Sequence, residues 1–334
     1  MLRHPHDHPI FIIAGALVPD RSRVPGMSGP PAPQPPSARV PVQVLLLATT
    51  AMWGMNVAMM KWLTGHFDPI AMAVLRMGAA TLALGWLMHR AGRGWHAPAL
   101  RAHWKTLLVC SVLMVYLNQW LFTAGLQRSS ATNGALITAL SPLVASVLAW
   151  WLLRERLPLL RLMGVALGLS GVALVVLQRS GASLSGASLG DLLILLAIVL
   201  FGLGSVLLQR LLQHSDALAI SLSIHAVGCL LLLTHSGVAA VWRGGWPLFS
   251  PSPVFWLMAI LSGALATGLG NLMWTRAISR IGMARAALWT NFVPLFAVAS
   301  AVLLLGEPVT RWDLLGLVLV LSGTRLGMKR PAPV

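Results

Sequence analysis

One cationic side chain, Arg76, stands inside an otherwise apolar run, "AMAVLRMGAATLALGWLM" at residues 71–88. A guanidinium in hydrocarbon is costly and raises a functional question by default. Its planar fork matches a carboxylate or phosphate, which makes Arg76 a candidate anion anchor. Two blander readings stand beside that one: the side chain snorkels outward to headgroups, or it ties off helix-end carbonyls. His225 lies in the middle of another apolar run and is the one mid-depth group that titrates near neutral pH. It reads either as a proton site or as one helix–helix hydrogen bond.

The remaining candidates are asparagines next to tryptophans and threonines at helical spacing. Thr49, Trp53, Asn56 and Met60 fall on one helical face. Thr267, Asn271 and Trp274 do the same, as do Asn118 and Phe122, and Trp289, Thr290 and Asn291 are contiguous. Thr138 lies one turn before Pro142. Small-molecule sites have apolar walls with a few placed polar groups. The candidate substrate-binding set is therefore Trp53, Asn56, Arg76, Asn118, Thr138, His225, Asn271, Trp274, Trp289, Thr290 and Asn291. For any single member, an ordinary interhelical hydrogen bond of about 0.6 kcal/mol is the competing reading. Pro142 and Pro294 each lack a backbone donor, which predicts helix kinks whose freed carbonyls nearby hydroxyls can use.

Catalytic chemistry is poorly represented. All eight acidic residues lie in the N-terminal tail or near the ends of apolar runs, so no carboxylate relay is expected at mid-depth. "GASLSG" at 181–186 lacks the strand–turn–helix context of a serine nucleophile. There is no phosphate-binding nucleotide loop. Cys110 and Cys229 both lie in apolar runs with no metal-ligand spacing. The chain reads as a non-enzyme with no cofactor and no metal.

The elements that must position these residues follow from composition. The 334 residues are 57% hydrophobic and only 10% charged, where a soluble domain carries about 25% charged residues. Mean hydropathy is +0.79. The bilayer is the solvent such a chain requires. Apolar runs near 20 residues recur at 42–61, 70–88, 106–125, 131–153, 161–178, 191–209, 217–234, 254–275, 285–305 and 312–328. They predict an all-α membrane protein of ten transmembrane helices. The net charge of +16 does not signal nucleic acid, because the basic residues are spread between apolar runs. With the N-terminus cytoplasmic, 18 Lys and Arg fall inside and 5 outside, as the positive-inside rule requires. The implied location is the inner membrane, multi-pass, with both termini cytoplasmic. Residues 1–40 hold the proline-rich "GMSGPPAPQPPSARVP" and read as a disordered tail, with Met27 an alternative start.

The chain repeats itself. "SPLVASVLAWWLLRERL" at 141–157 and "VPLFAVASAVLLLGEPV" at 293–309 place Pro294 and Glu307 152 positions after Pro142 and Glu155. The same offset joins Thr123 to Thr275, Thr138 to Thr290, Gly164 to Gly316, and Ser170-Gly171 to Ser322-Gly323. An offset of 148 joins Gly54 to Gly202 and Asp68 to Asp216. Two five-helix units result, residues 41–180 and 181–330. Five is odd, so the second unit starts on the opposite face of the membrane, and such inverted repeats are a signature of secondary transporters. Glu155 and Glu307 read as structural or gate-edge groups. Gly164, Gly168, Gly171, Gly316 and Gly323 permit close backbone approach, to neighbouring helices or to a second copy in a homodimer.

On these residues, with "MWGMN" at 52–56 and "DP" followed by Arg76, the chain resembles the EamA family of the drug/metabolite transporter superfamily over residues 42–328. The second unit departs from the pattern: no proline follows Asp216, and Ile224 stands where Arg76 stands in the first. The resemblance implies transport of a small molecule, an amino acid or related metabolite with export favoured. The alternatives are a multidrug or lipid-linked carrier, or a membrane receptor that binds without transporting.

Overall fold

A computed structural model describes residues 40–63, 65–92, 101–129, 134, 137–153, 158–179, 189–245, 252–305 and 309–328. The expectations for the N-terminal tail, Glu155 and Glu307 fall outside these residues. The described chain is helical throughout. Its helices are α1 (Val42–Leu63), α2 (Pro69–Arg90), α3 (Trp104–Arg128), α4 (Ser141–Leu153), α5 (Leu159–Arg179) and α6 (Leu189–Leu211). They continue with α7 (Ala217–Arg243), α8 (Pro253–Ile281), α9 (Met283–Ala287), a 3₁₀ turn (Leu288–Asn291), α10 (Phe292–Leu305) and α11 (Arg311–Met328). Helices α2, α3, α6, α7 and α8 are long and apolar enough to cross a membrane, and shorter apolar helices run over Ile137–Leu152 and Leu159–Val175.

Matching local chemistry opens matching helices. Asp68 caps α2 by accepting from the backbone N–H groups of Ile70 and Ala71, and Asp216 caps α7 through those of Leu218 and Ala219. A capping carboxylate of this kind contributes about 1 kcal/mol. Helix α7 runs well past the apolar window 217–234 and stops at Gly244, which adopts the left-handed conformation (φ 67°). Helices α3 and α8 each widen into a π-helical segment, Ser111–Leu117 and Ser262–Leu269. Such segments concentrate at functional sites.

Packing follows the same pairing. Helix α1 packs on α8 and α10, while α6 packs on α3 and α4. Helix α2 contacts the widened part of α8, and α7 contacts the widened part of α3. Between α5 and α11 the backbones nearly touch. A Cβ on Gly164 would lie 2.5 Å from the carbonyl oxygen of Gly323, and one on Gly316 would lie 2.8 Å from that of Gly171. These glycines thus meet one another within the chain.

The prolines stand just after interruptions of regular helix: the apolar helix Ile137–Leu152 has a turn at Leu140 before α4 begins, and a 3₁₀ turn precedes α10. Pro142 is the second residue of α4 and Pro294 the third of α10, directly after the 3₁₀ turn. The missing N–H of the first turn costs little there. The carbonyl of Thr138, four residues before Pro142, accepts instead from the Ser141 hydroxyl at 2.5 Å.

Candidate functional site

A cavity of about 180 Å³ opens among α1, α2, α3, α4, α6, α8, α9 and α10. Eight of the eleven expected residues line it: Trp53, Asn56, Arg76, Asn118, Thr138, Asn271, Trp274 and Thr290.

Arg76 is the charged centre of this wall and is 3% exposed. Its Nε donates to Ser262 Oγ at 2.8 Å, Nη1 to Gln119 Oε1 at 3.0 Å and Nη2 to Thr267 Oγ1 at 2.9 Å. Ser262 in turn donates to Asn56 Oδ1 at 2.5 Å. Every acceptor is a neutral side chain, and the α8 pair comes from the widened segment, whose extra residue per turn brings Ser262 and Thr267 to the same guanidinium. Among the described residues no carboxylate lies within 4.0 Å of Arg76; Asp68, at the start of α2, pairs instead with Arg243 at the end of α7, 2.8 Å away. Arg76 therefore neither snorkels nor caps a helix. Five N–H donors sit on a guanidinium, so two remain for a ligand. The unpaired charge favours an anionic one.

Part of the lining is aromatic. Trp53 meets Trp274 at 5.4 Å between ring centroids and Phe201 at 6.2 Å, and Phe201 meets Trp274 at 6.3 Å. Trp53 is held by its Nε1 donating to Ala266 O at 3.0 Å. Asn118 donates to Ala197 O at 2.9 Å, linking α3 to α6. Thr138 and Thr290 turn their hydroxyls back on Gly134 O and Ala287 O, both at 2.7 Å.

Three expected residues do not line the cavity. His225 sits behind it on α7, 3% exposed, in a crevice shared with Asn271 and Trp274. Trp289 stacks on Phe292 at 5.6 Å. Asn291 is fully buried against Gly168 of α5, and neither atom of its amide has a hydrogen-bond partner.

Gln119, Ser141, Ser262 and Phe201 join the site beyond the expected set. The repeat itself points to two of them. Phe201 stands 148 positions after Trp53, and Asn271 stands 152 after Gln119. Trp274 likewise follows Phe122, and Thr290 follows Thr138, by 152. Both members of each of these pairs line the one cavity. Ser262 carries no such signal, since it lies in a small-residue apolar run.

A helical protein with spanning segments and a cavity built from corresponding residues of two repeats defines a membrane-transport class. The EamA-like transporter family matches the chain twice, over residues 41–177 and 188–327. The chain belongs to this family and is a membrane-spanning transporter. It is 27% identical over 293 residues to the "uncharacterized transporter YyaM" of Bacillus subtilis (strain 168), covering 84% of this chain and 92% of that one. It is 28% identical over 299 residues to the S-adenosylmethionine/S-adenosylhomocysteine transporter of Chlamydia muridarum (strain MoPn / Nigg), covering 86% and 91%. A solved crystal structure shares the fold at a TM-score of 0.71 and 16% identity, covering 86% of this chain and 96% of that one.

Proposed function

We propose that this transporter is a secondary carrier of the inner membrane. It moves a small carboxylate-bearing metabolite, an amino acid or related compound, by alternating access, with export the favoured direction. The observation that carries the reading is the buried guanidinium of Arg76, held by three neutral side chains and facing a cavity lined by corresponding residues of both repeats. A buried cation without a counter-charge is expensive, and a bound carboxylate supplies the counter-charge when substrate is present. The aromatic wall of Trp53, Phe201 and Trp274 suits an apolar or cationic substrate body. The Chlamydia muridarum relative is named for S-adenosylmethionine and S-adenosylhomocysteine. Both are α-amino acids with a carboxylate at one end and a flat base at the other.

In this reading there are ten crossings in two inverted units, 41–180 and 181–330, with both termini cytoplasmic. The reciprocal glycine contacts support the two-fold relation: Gly164 meets Gly323, and their counterparts Gly316 and Gly171 meet in turn. Rocking of one unit against the other then exposes the same cavity to each face.

The test is flux into proteoliposomes of a labelled panel: amino acids, S-adenosylmethionine, sugars and cationic dyes. Saturable flux of a carboxylate-bearing compound is the expected result. Flux of dyes alone would favour a drug carrier, against an arginine-lined cavity. Binding without flux would favour a receptor.

A further inference from the structure

His225 and Asn271 form a unit whose polarity is set by the imidazole. His225 Nδ1 lies 2.8 Å from the carbonyl oxygen of Ser221, one turn back on α7. A carbonyl only accepts, so Nδ1 carries a proton and donates. The ring is 3% exposed, in a crevice lined mostly by apolar side chains (Met114, Val115, Phe201, Leu208 and Ile224) with Ser221 and Thr275, and among the described residues no carboxylate lines it. Such surroundings hold a neutral ring, whose second nitrogen is then an acceptor. Nε2 lies 3.2 Å from the side-chain nitrogen of Asn271, which donates to it. Asn271 Oδ1 is thereby turned from the histidine, and Asn271 lines the cavity.

That oxygen is distinctive. Four amide side chains line the cavity, and three of their oxygens already accept from the protein: Asn56 from Ser262, Asn118 from Gln119, and Gln119 from Arg76. Asn271 Oδ1 has no protein donor among the described residues. The cavity thus offers spare donors on Arg76 and a spare acceptor on Asn271. Both are tied to α8: Thr267 holds Arg76 at 2.9 Å, and Asn271 stands four residues further along the same helix. The carboxylate and ammonium of an α-amino acid share one carbon.

The repeat sharpens the contrast. Gln119 and Asn271 occupy corresponding positions. In the first unit a cation from α2 turns the amide oxygen inward to itself. In the second an imidazole acceptor from α7 draws the amide nitrogen and leaves the oxygen free.

We propose that His225 is a positioning residue that fixes the Asn271 amide with its oxygen toward the cavity, where it receives the α-ammonium group of a zwitterionic substrate whose carboxylate lies on Arg76. This deepens the proposed function and rests on its carboxylate site.

The experiment compares paired probes on purified full-length protein in detergent, by equilibrium binding. The pairs are L-leucine with 4-methylpentanoate and L-phenylalanine with 3-phenylpropanoate, which differ by the ammonium group. Wild type is expected to prefer the amino acid of at least one pair tenfold or more. Asn271→Leu and His225→Leu should each reduce that ratio to threefold or less, because the second frees the amide to rotate. The ratio within a pair is read, so a general loss of affinity does not imitate the effect. If wild type binds the carboxylates without preferring the ammonium forms, the inference is overturned while the Arg76 site stands. If neither class binds, the carboxylate reading fails first and this one with it. A ratio retained in His225→Leu but lost in Asn271→Leu would overturn the role of His225. Should His225→Leu fail to fold, ¹⁵N-histidine NMR of wild type against Asn271→Leu tests the same contact. The expected signal is one ring protonated at Nδ1, its unprotonated Nε2 resonance shifting when Asn271 is replaced; an Nε2-protonated ring there refutes the proposal.

Discussion

Arg76 offers the sharpest perturbation, because its hydrogen bonds can be counted. Three of its five donors are used by Ser262, Gln119 and Thr267 at 2.8, 3.0 and 2.9 Å. Two remain, and a substrate carboxylate can take both. Hydrogen bonds to charged groups contribute about 1.5–3 kcal/mol each. With partial non-additivity the pair is worth ~3–4 kcal/mol. At tenfold per 1.4 kcal/mol, Arg76→Ala should raise the Michaelis constant by roughly 100- to 1000-fold. Lysine keeps the charge but has only three donors, and the three neutral acceptors compete for all of them. Arg76→Lys should therefore raise it by about tenfold. Initial rates of labelled substrate flux in proteoliposomes, at matched protein incorporation, give both constants. Thermal unfolding of each variant separates lost binding from lost fold. Equal Michaelis constants for the two variants and wild type would remove Arg76 from the site and refute the reasoning.

Other outcomes follow from the packing and the charge pattern. A Cβ on Gly323 would lie 2.6 Å from Gly164 O and 2.7 Å from Gly168 N; Gly323→Ala should destabilise the protein by about 1–3 kcal/mol. At Gly85 nothing lies within 4 Å, so Gly85→Ala in the same melting assay should be neutral or stabilising by up to ~1 kcal/mol. Asp68→Ala removes both a helix cap and the Arg243 pair and should cost about 1–2 kcal/mol. Asp68→Asn keeps the cap and should cost less than half of that in the same assay. A reporter fused after Arg330 should be cytoplasmic and one inserted near Ser180 external; the reverse would overturn the topology.

Helix positions were legible because hydrocarbon thickness sets a run length that few other constraints disturb. The window 217–234 ended early where Thr234, His235 and Ser236 lower the hydropathy, yet α7 continues to Arg243, since polar side chains near a helix end cost the backbone nothing. The window 285–305 hid a 3₁₀ turn at Leu288–Asn291, because periodicity does not register a local change of hydrogen-bond ladder. The site was legible where a polar residue interrupts an apolar face, as at Asn56, Arg76 and Asn271. α-Helical spacing puts Gln119, the neighbour of Asn118, on a different face. The π-helical segment just before it changes the phase that α-helical spacing assumes. Trp289 and Asn291 share the composition of cavity residues but point into helix packing, which composition alone does not distinguish.

The most direct measurement asks whether one cavity serves both membrane faces. Ser141 lines the cavity, and cysteine is nearly isosteric with serine; Ser141→Cys in a Cys110→Ala, Cys229→Ala background places one thiol there. In oriented vesicles, a membrane-impermeant maleimide should label that thiol from either side, and a transported carboxylate-bearing substrate should protect it from both. Labelling confined to one face, whatever the substrate, would contradict alternating access and leave a one-sided binding site.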